Sequence, residues 1–223
     1  SCVMEPLFPH IHRETVRLLV VAGCEVVVPR AQTCCGALHA HAGLRREARL
    51  LARRNVDAFA GSDYVISHSA GCGAALREAG HLLTDEAHAE RAAAFSERVR
   101  DVSEVLAEVG LPAAPIPLAA PLLAGEERLG ESIGRSRPLR VTYHDACHLA
   151  HAQRVREAPR RLIRALPGVE LVALPNADWC CGSAGVYNLT QPELANAQLD
   201  GKLDAVASVT PELIVRALTT NDY

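Results

Sequence analysis

The chain has 223 residues, of which 49% are hydrophobic and 22% charged, and its formal net charge is -3 at pH 7. This apolar content is typical of a chain that buries a core, and it excludes a disordered protein. The basic residues form no concentrated block, which argues against a nucleic acid partner. The longest apolar stretch, residues 18–29, is interrupted by Glu25 and is shorter than the roughly 20 residues that cross a bilayer. We therefore expect no transmembrane segment and, since the start of the chain lacks a basic and then apolar leader, no signal peptide.

Strands and helices are predicted to alternate along the first half of the chain. Apolar periodicity predicts helices over residues 12–22, 44–59 and 85–109, and strands over 25–29 and 63–67. A Cys34-Cys35-Gly36 loop follows the first strand, and a loop that carries Cys72 follows the second. Residues 112–138, rich in proline and glycine, are predicted to form a linker.

The second half repeats the same plan. Strands are predicted over 139–143 and 170–174, with a helix over 157–166 between them. The first strand delivers Cys147 to a loop, and the second leads to a Cys180-Cys181-Gly182 loop. Alternating strands and helices predict an α/β fold with short parallel sheets, and they place sites at the carboxyl ends of strands. We therefore expect two pseudo-repeated βαβ-type modules, residues 1–111 and 139–223.

The cysteine positions reveal the repeat most clearly. Cys2 precedes the first Cys-Cys-Gly triplet and Cys147 precedes the second at nearly equal distances along the chain. Cys72 has no counterpart, because Leu218 stands at the equivalent position. No strand precedes Cys2 to match the one before Cys147. We therefore expect a fragment that is truncated at both ends relative to a complete two-repeat unit, with the last cysteine of the second module missing.

Eight cysteines without a secretion signal indicate metal or redox chemistry rather than disulfides. An iron–sulfur cluster needs thiolates that converge from several loops, and adjacent cysteines can serve two sides of it. The glycine after each pair allows a tight turn, and helix N-terminal amides favour the negative charge of bound sulfur. Zinc is the alternative metal, although cysteine pairs spaced by 2–4 residues, usual for structural zinc, do not occur.

The spacing of these cysteines is similar to that of the cysteine-rich domain shared by several redox proteins. Members of this group are heterodisulfide reductase B subunits, the lactate-utilisation iron–sulfur protein, the anaerobic glycerol-3-phosphate dehydrogenase C subunit and the glycolate oxidase iron–sulfur subunit. The segments at residues 34–43, 143–151 and 180–188 most resemble the glycolate oxidase subunit. The resemblance spans nearly the whole chain.

The resemblance implies cluster ligands in both modules. In the first module they are Cys2, Cys34, Cys35 and Cys72, and in the second Cys147, Cys180 and Cys181. It implies an iron–sulfur cluster of the [4Fe-4S] type, either cubane or non-cubane. The family closes each repeat with Cys-x-x-Cys, but Ala75 stands where the last cysteine of the first repeat would be, and the second repeat lacks its final cysteine.

The function implied by the resemblance is electron transfer within a glycolate oxidase (glycolate dehydrogenase) complex. Flavoprotein subunits would oxidise glycolate to glyoxylate, and this subunit would carry the electrons toward a membrane quinone or its reductase. We expect no catalytic residue in this chain, and a location in the cytoplasm or on the inner face of the cell membrane. The alternatives are a subunit of a lactate-utilisation, glycerol-phosphate or heterodisulfide reductase-like complex, and a non-catalytic zinc-binding scaffold.

Several residues near the repeat have a structural interpretation beside the functional one. His144 and His148 flank Cys147 and are interpreted as partners that hydrogen-bond around a cluster rather than as ligands. Asp145 is interpreted as orienting one of these histidines or as capping the next helix. Cys24 lies outside the repeat and is predicted to be a buried structural thiol.

Overall fold

The computed structural model describes residues 4–84, 87–111, 137–183 and 185–216. The elements of the first half, in chain order, are α1 (Met4–Leu7), α2 (Pro9–Val21), α3 (Ala37–His41), α4 (Arg45–Ala58), β1 (Val65–Ser67), α5 (Ala70–Arg77), α6 (Ala79–Leu82), α7 (Ala89–Arg98), β2 (Val99–Asp101) and α8 (Val102–Val109). Those of the second half are β3 (Leu139–His144), a π-helix (His148–Ala152), α9 (Glu157–Arg164), β4 (Val169–Val172), α10 (Tyr187–Thr190), α11 (Pro192–Val209) and β5 (Leu213–Arg216). The chain is therefore an α/β protein, as predicted.

Each half of the described chain contains a short parallel sheet. In the first, β1 pairs with β2, so that Val65 lies opposite Val99 and Ser67 opposite Asp101. In the second, β3 lies between β4 and β5 and runs parallel to both. Because parallel strands end at the same edge, β1 and β3 each deliver the next segment of chain to a cysteine-bearing helix start. The two halves fit a pseudo-repeat.

The predicted strand over residues 25–29 is wrong. This segment has no ladder partner among the described residues, and Val27 and Val28 are 70% and 62% exposed. Its counterpart β4 is a strand because it pairs with β3. Among the described residues no strand pairs with segment 25–29, so its apolar residues alone do not make it a strand.

An uninterrupted helix over residues 85–109 is also wrong, because β2 separates α7 from α8 within it. Val99 is fully buried against β1, where a β-branched side chain is favoured. The Asp101 side chain then caps α8 by accepting from the Ser103 amide, while the Glu104 carboxylate accepts from the Asp101 amide. This capping box starts a new helix directly after the strand. Residues 85–86 lie outside the described part of the chain.

The largest cluster of buried apolar residues lies in the first half. Phe95 of α7 and Leu83 are fully buried between α4, α6 and the two strands. Smaller residues such as Ala52 and Ala92 let the helices approach closely there. The core therefore fixes α4 and β1, which carry the residues next to the first Cys-Cys-Gly loop and to Cys72.

The two halves are joined by packing between α5 and the π-helix and between α8 and α9. Ala70 packs with Leu149 in one buried cluster, and the Gln153 amide donates to the Ala70 carbonyl at 2.8 Å. A Cβ at Gly73 would lie 2.7 Å from this amide, so glycine permits the close approach. Arg77 donates to the Gln153 carbonyl at 2.9 Å. The segment after Cys147 is thus seated on the helix that contains Cys72.

Most of the predicted linker, residues 112–136, lies outside the described part of the chain. Within the described residues, no helix has both the length and the apolar character needed to cross a membrane.

Candidate metal centre

Three cysteines of the first half lie together. Cys34 and Cys35 belong to the loop that precedes α3, and Cys72 lies in the first turn of α5 rather than in the predicted loop, because that helix begins at Ala70. The Cys35 thiol is hydrogen-bonded to those of Cys34 and Cys72. The pair and the distant cysteine therefore meet at the carboxyl end of β1.

The close approach of these thiols couples their protonation. The hydrogen bonds to Cys34 and Cys72 and the burial of the site raise the pKa of Cys35. The hydrogen bond from Cys35 lowers the pKa of Cys72 to about 7, against the effect of burial. Since metals bind the thiolate form, Cys72 is converted to a ligand more readily than Cys35.

The backbone of the first loop is held by Gly36 and Asn55. Gly36 has a left-handed φ of 82°, and its amide donates to the Cys34 Sγ over 3.5 Å. Asn55 of α4 is 1% exposed; its amide group donates to the Cys34 carbonyl, and its oxygen accepts from the Thr33 amide at 2.9 Å. The sequence did not predict that Asn55 holds this loop. It could have been recognised as a polar residue on the buried face of α4, which also contains Ala52.

The second half contains an equivalent group. Cys147 immediately precedes the π-helix that follows β3, and its thiol is hydrogen-bonded to that of Cys180. Burial, followed by the charges of Cys180 and Cys181, raises the pKa of Cys147 to about 11. The Gly182 amide donates to the Cys180 Sγ over 3.3 Å. The second triplet thus repeats the arrangement of the first, with Cys180 exposed and Cys181 half-buried.

The glycine of each triplet packs against an alanine of the following long helix. A Cβ at Gly36 would lie 3.4 Å from the Ala48 Cα, and one at Gly182 only 2.2 Å from the Ala195 carbonyl oxygen. Both glycines have a left-handed φ, of 82° and 84°. The predicted need for glycine is therefore confirmed in both loops, and the second leaves no room for any side chain.

The two predicted histidines lie on either side of Cys147 in different surroundings. The His144 imidazole is hydrogen-bonded to the backbone of Trp179, and burial lowers its pKa, so the ring is neutral at pH 7. Burial also lowers the pKa of His148, whose ring centroid lies 6.1 Å from that of His41, the last residue of α3. His148 therefore lies between the two cysteine groups, while His144 lies against the loop that leads to Cys180.

Within the described residues, Asp145 is hydrogen-bonded to neither predicted histidine, and its side chain caps no helix. Its buried carboxylate forms two hydrogen bonds of 2.7 Å with the Arg160 guanidinium, which also lies 5.0 Å from the centroid of the Tyr143 ring. This bidentate pair fixes the backbone just ahead of Cys147 to α9. Lys202, which the sequence prediction did not single out, is buried beside the second loop.

The remaining cysteines lie elsewhere. Cys2 lies outside the described residues. Cys24 is half-buried and packs against the cluster formed by Leu19, Val105 and Leu106, in keeping with a structural thiol. The cysteines of the described ranges are all free of disulfides. Within the same ranges, no set of three or more Cys, His, Asp or Glu side chains is arranged for a single metal ion.

The chemistry of these groups fits an iron–sulfur cluster. Each supplies three soft sulfur donors from a paired loop and a distant helix start, and a backbone amide already donates to one sulfur in each group. Soft thiolate sets select iron–sulfur clusters, zinc or Cu(I). The residues that could hold such a group are Cys34, Cys35 and Cys72 in the first module and Cys147, Cys180 and Cys181 in the second.

Comparisons with known proteins connect this arrangement to a family. The chain is 38% identical over 220 residues to the probable glycolate oxidase iron-sulfur subunit of Bacillus subtilis, with 97% of this chain and 46% of the relative covered. It is 32% identical to the glycolate oxidase iron-sulfur subunit of Escherichia coli, covering 50% of that protein. Lactate utilization protein A of Geobacillus kaustophilus is 30% identical, and 84% of its length is covered. The chain thus spans about half the length of the glycolate oxidase relatives.

The model of one family matches both halves of the chain. The matched residues are 1–77 and 141–220, and the family is described as the cysteine-rich domain CCG. The two matches contain the two Cys-Cys-Gly loops and the helix starts that face them. The chain therefore belongs to the CCG cysteine-rich domain family.

Proposed function

We propose that this chain is an iron–sulfur electron-transfer subunit of a glycolate oxidase-type complex. The observation that carries the proposal is the repeated convergence of a Cys-Cys-Gly loop with a distant cysteine. Cys35 meets Cys72 in one half, and Cys180 meets Cys147 in the other. A duplicated thiol site suits an electron carrier, and we place the substrate site on a partner subunit.

The protein residues would bind and shield the cluster. The six cysteines of the two groups would supply thiolates, with Cys2 as a further ligand of the first site. The Gly36 and Gly182 amides, which donate to the Cys34 and Cys180 sulfurs, would stabilise the negative charge of bound sulfur. A cluster bound here would accept and release single electrons.

The substrate of the complex is inferred from the relatives. Two of them are named as glycolate oxidase iron-sulfur subunits, at 38% and 32% identity. We therefore propose a flavoprotein partner that oxidises glycolate to glyoxylate, and an acceptor in the quinone pool. Lactate is the second candidate substrate, because Lactate utilization protein A is covered over more of its length.

Metal content of three matched cysteine variants tests the proposal. After anaerobic reconstitution with iron and sulfide, Cys35→Ala should lose the iron of the first site and Cys181→Ala that of the second, at roughly four irons per occupied site. Cys24→Ala, the matched control outside both groups, should keep the wild-type content. Equal iron in all variants, or zinc retained with no visible absorption, would refute cluster ligation by these residues.

Electron transfer from the partner tests the substrate. The wild-type chain would be purified with its flavoprotein subunits, and bleaching of the cluster absorption would be followed after glycolate or L-lactate is added. Bleaching with glycolate and not with lactate is expected. The reverse preference would assign the chain to a lactate-oxidising complex.

A further inference from the structure

Lys202 is the single lysine of the chain, and every other residue that is counted as Lys or Arg is an arginine. It is only 7% exposed. An ammonium group is strongly hydrated and is rarely buried unless it is hydrogen-bonded or lies near negative charge. A lone lysine in a buried position therefore needs a local reason.

The backbone ahead of the second Cys-Cys-Gly loop gives part of that reason. The Lys202 Nζ donates to the Asn176 carbonyl at 2.6 Å and to the Ala177 carbonyl at 3.2 Å. The Ala177 carbonyl also accepts from the Asp145 amide at 3.1 Å. Asn176 has a left-handed φ of 51°, a turn conformation that asparagine adopts more readily than other residues with a Cβ and that a hydrogen bond to its carbonyl can stabilise. Lys202 supplies this hydrogen bond.

The two buried residues of α11, Ala195 and Lys202, hold the two ends of this loop. Ala195 contacts Gly182 at its carboxyl end, and Lys202 binds Asn176 and Ala177 at its amino end. They are seven positions apart, so they lie on one face of the helix. The loop between these anchors contains Cys180 and Cys181.

The charge of Lys202 also faces this site. Burial lowers its pKa, whereas the nearby Cys147 and Cys181 sulfurs and the carboxylates of Asp178 and Asp145 favour its charged form. Those two carboxylates are paired elsewhere: Asp145 with Arg160, and Asp178 with Arg156 at 3.1 Å. Among the described residues, the two carboxylates near Lys202 thus have arginine partners, and the sulfurs of Cys147 and Cys181 would add negative charge beside Lys202 once they bind a metal as thiolates.

We propose that Lys202 is a positioning residue of the second cysteine site, where its ammonium group fixes the loop and supplies a fixed positive charge to the sulfur ligands. The electrostatic part rests on the proposed function. A positive charge beside a cluster stabilises its reduced, more negative state and raises its reduction potential. Lysine suits the role because a compact ammonium offers three donors from a flexible stem, whereas arginine presents a planar fork.

Redox titration of the reconstituted full chain tests the proposal. The second-site signal is identified as the EPR signal that Cys181→Ala abolishes. Lys202→Met, which keeps the length of the side chain and removes the charge, should lower the potential of that signal by about 59 mV, a tenfold change in the one-electron equilibrium. Lys202→Arg should recover at least half of the shift.

Arg140→Met is the matched control. Arg140 of β3 donates to the Val209 carbonyl at the end of α11 at 2.8 Å, so its loss removes a cation that contacts the other end of the same helix. This variant should leave the second-site potential unchanged. An unchanged potential in Lys202→Met, or an equal shift in Arg140→Met, would overturn the proposal while leaving the proposed function intact.

A second measurement does not depend on the cluster. In the reduced, metal-free chain, iodoacetamide alkylation of Cys147 and Cys181 would be followed by mass spectrometry at one pH. Lys202→Met removes the hydrogen bonds to the Asn176 and Ala177 carbonyls, so alkylation of both cysteines should become about three- to tenfold faster as the loop opens more often. Cys34 and Cys35 are the internal control and should react as in the wild type. Faster alkylation here together with no iron in the wild type would reject the proposed function and retain the role of Lys202. Unchanged rates would reject that role.

Discussion

The two triplet glycines make the same turn under different steric conditions. Gly36 and Gly182 have nearly the same left-handed φ, yet Gly36 faces ordinary contact distances and Gly182 faces the Ala195 backbone. Left-handed backbone costs a residue with a Cβ roughly 1–2 kcal/mol. Only at Gly182 is a steric clash with backbone added to that cost. The two loops therefore share a backbone conformation, but the second tolerates a side chain at its glycine less well than the first.

We predict that Gly36→Ala lowers the free energy of unfolding by about 1–2 kcal/mol, and Gly182→Ala by roughly 3 kcal/mol, because overpacking adds about 1–3 kcal/mol. Urea unfolding of the reduced, metal-free chain measures both values. The two variants serve as controls for each other, since they differ only in the second contact. Equal losses would mean that the Ala195 backbone moves aside without cost.

Among the elements, β1, β3, β4, α4 and α9 were all predicted near their observed positions, whereas β5 and α11 were not predicted. The strand over residues 25–29 failed because its pairing is decided by a neighbouring strand, which local apolar pattern does not contain. β2 was missed because three residues between two helices carry too short a pattern to be recognised.

The candidate site was also predicted only in part. Its cysteines were recognised from their spacing along the chain, whereas other residues were recognised only from the fold. Register along the chain predicted which cysteines belong together, and the structure brings together all those within the described ranges. Asn55 and Lys202 are different, because only the fold shows that each reaches the backbone of a cysteine loop. Both are polar residues on the buried face of an otherwise apolar helix stripe. That signal predicts burial, but not which loop the side chain holds.

The contact between α2 and the end of β1 makes stability depend on pH. Burial and the neighbouring His12, whose ring centroid lies 4.6 Å away, lower the pKa of His68 to about 4. The unfolded chain has the ordinary value near 6.5 and therefore binds a proton more readily. The contribution of His68 is complete above pH 6.5 and is lost as the pH falls toward 4.

We predict that the free energy of unfolding of the wild type falls by about 2 kcal/mol between pH 7.5 and pH 5 on account of His68. His68→Phe should remove this part of the pH dependence. The same change at His10, which is exposed on α2, should leave it in place. Urea unfolding at the two pH values gives the difference. A steeper decline in His68→Phe than in the wild type would contradict the assigned sign.

At the scale of the whole molecule, the two modules share buried surface close to both sites. Leu149 of the π-helix is 1% exposed and packs with Ala70, which lies two residues before Cys72. A second contact joins α8 to α9, where Arg161 donates to the Ala107 carbonyl at 3.2 Å. Displacement of one module would therefore open the surroundings of Cys72 and of Cys147 together. We infer that the modules stabilise each other's metal sites.

This coupling predicts one unfolding transition for the metal-free chain. Leu149→Ala should lower the free energy of unfolding by about 2–5 kcal/mol, because it leaves a cavity between the modules. Trp179, the single tryptophan, reports on the second module by fluorescence, and hydrogen exchange of α4 reports on the first. Leu149→Ala should shift both midpoints by the same amount. Leu203→Ala, at a position 51% exposed on α11, should change the free energy of unfolding by no more than about 0.5 kcal/mol with either probe. If Leu149→Ala moved the Trp179 midpoint and left α4 protected, the modules would be independent units, and each site would have to be stabilised within its own half.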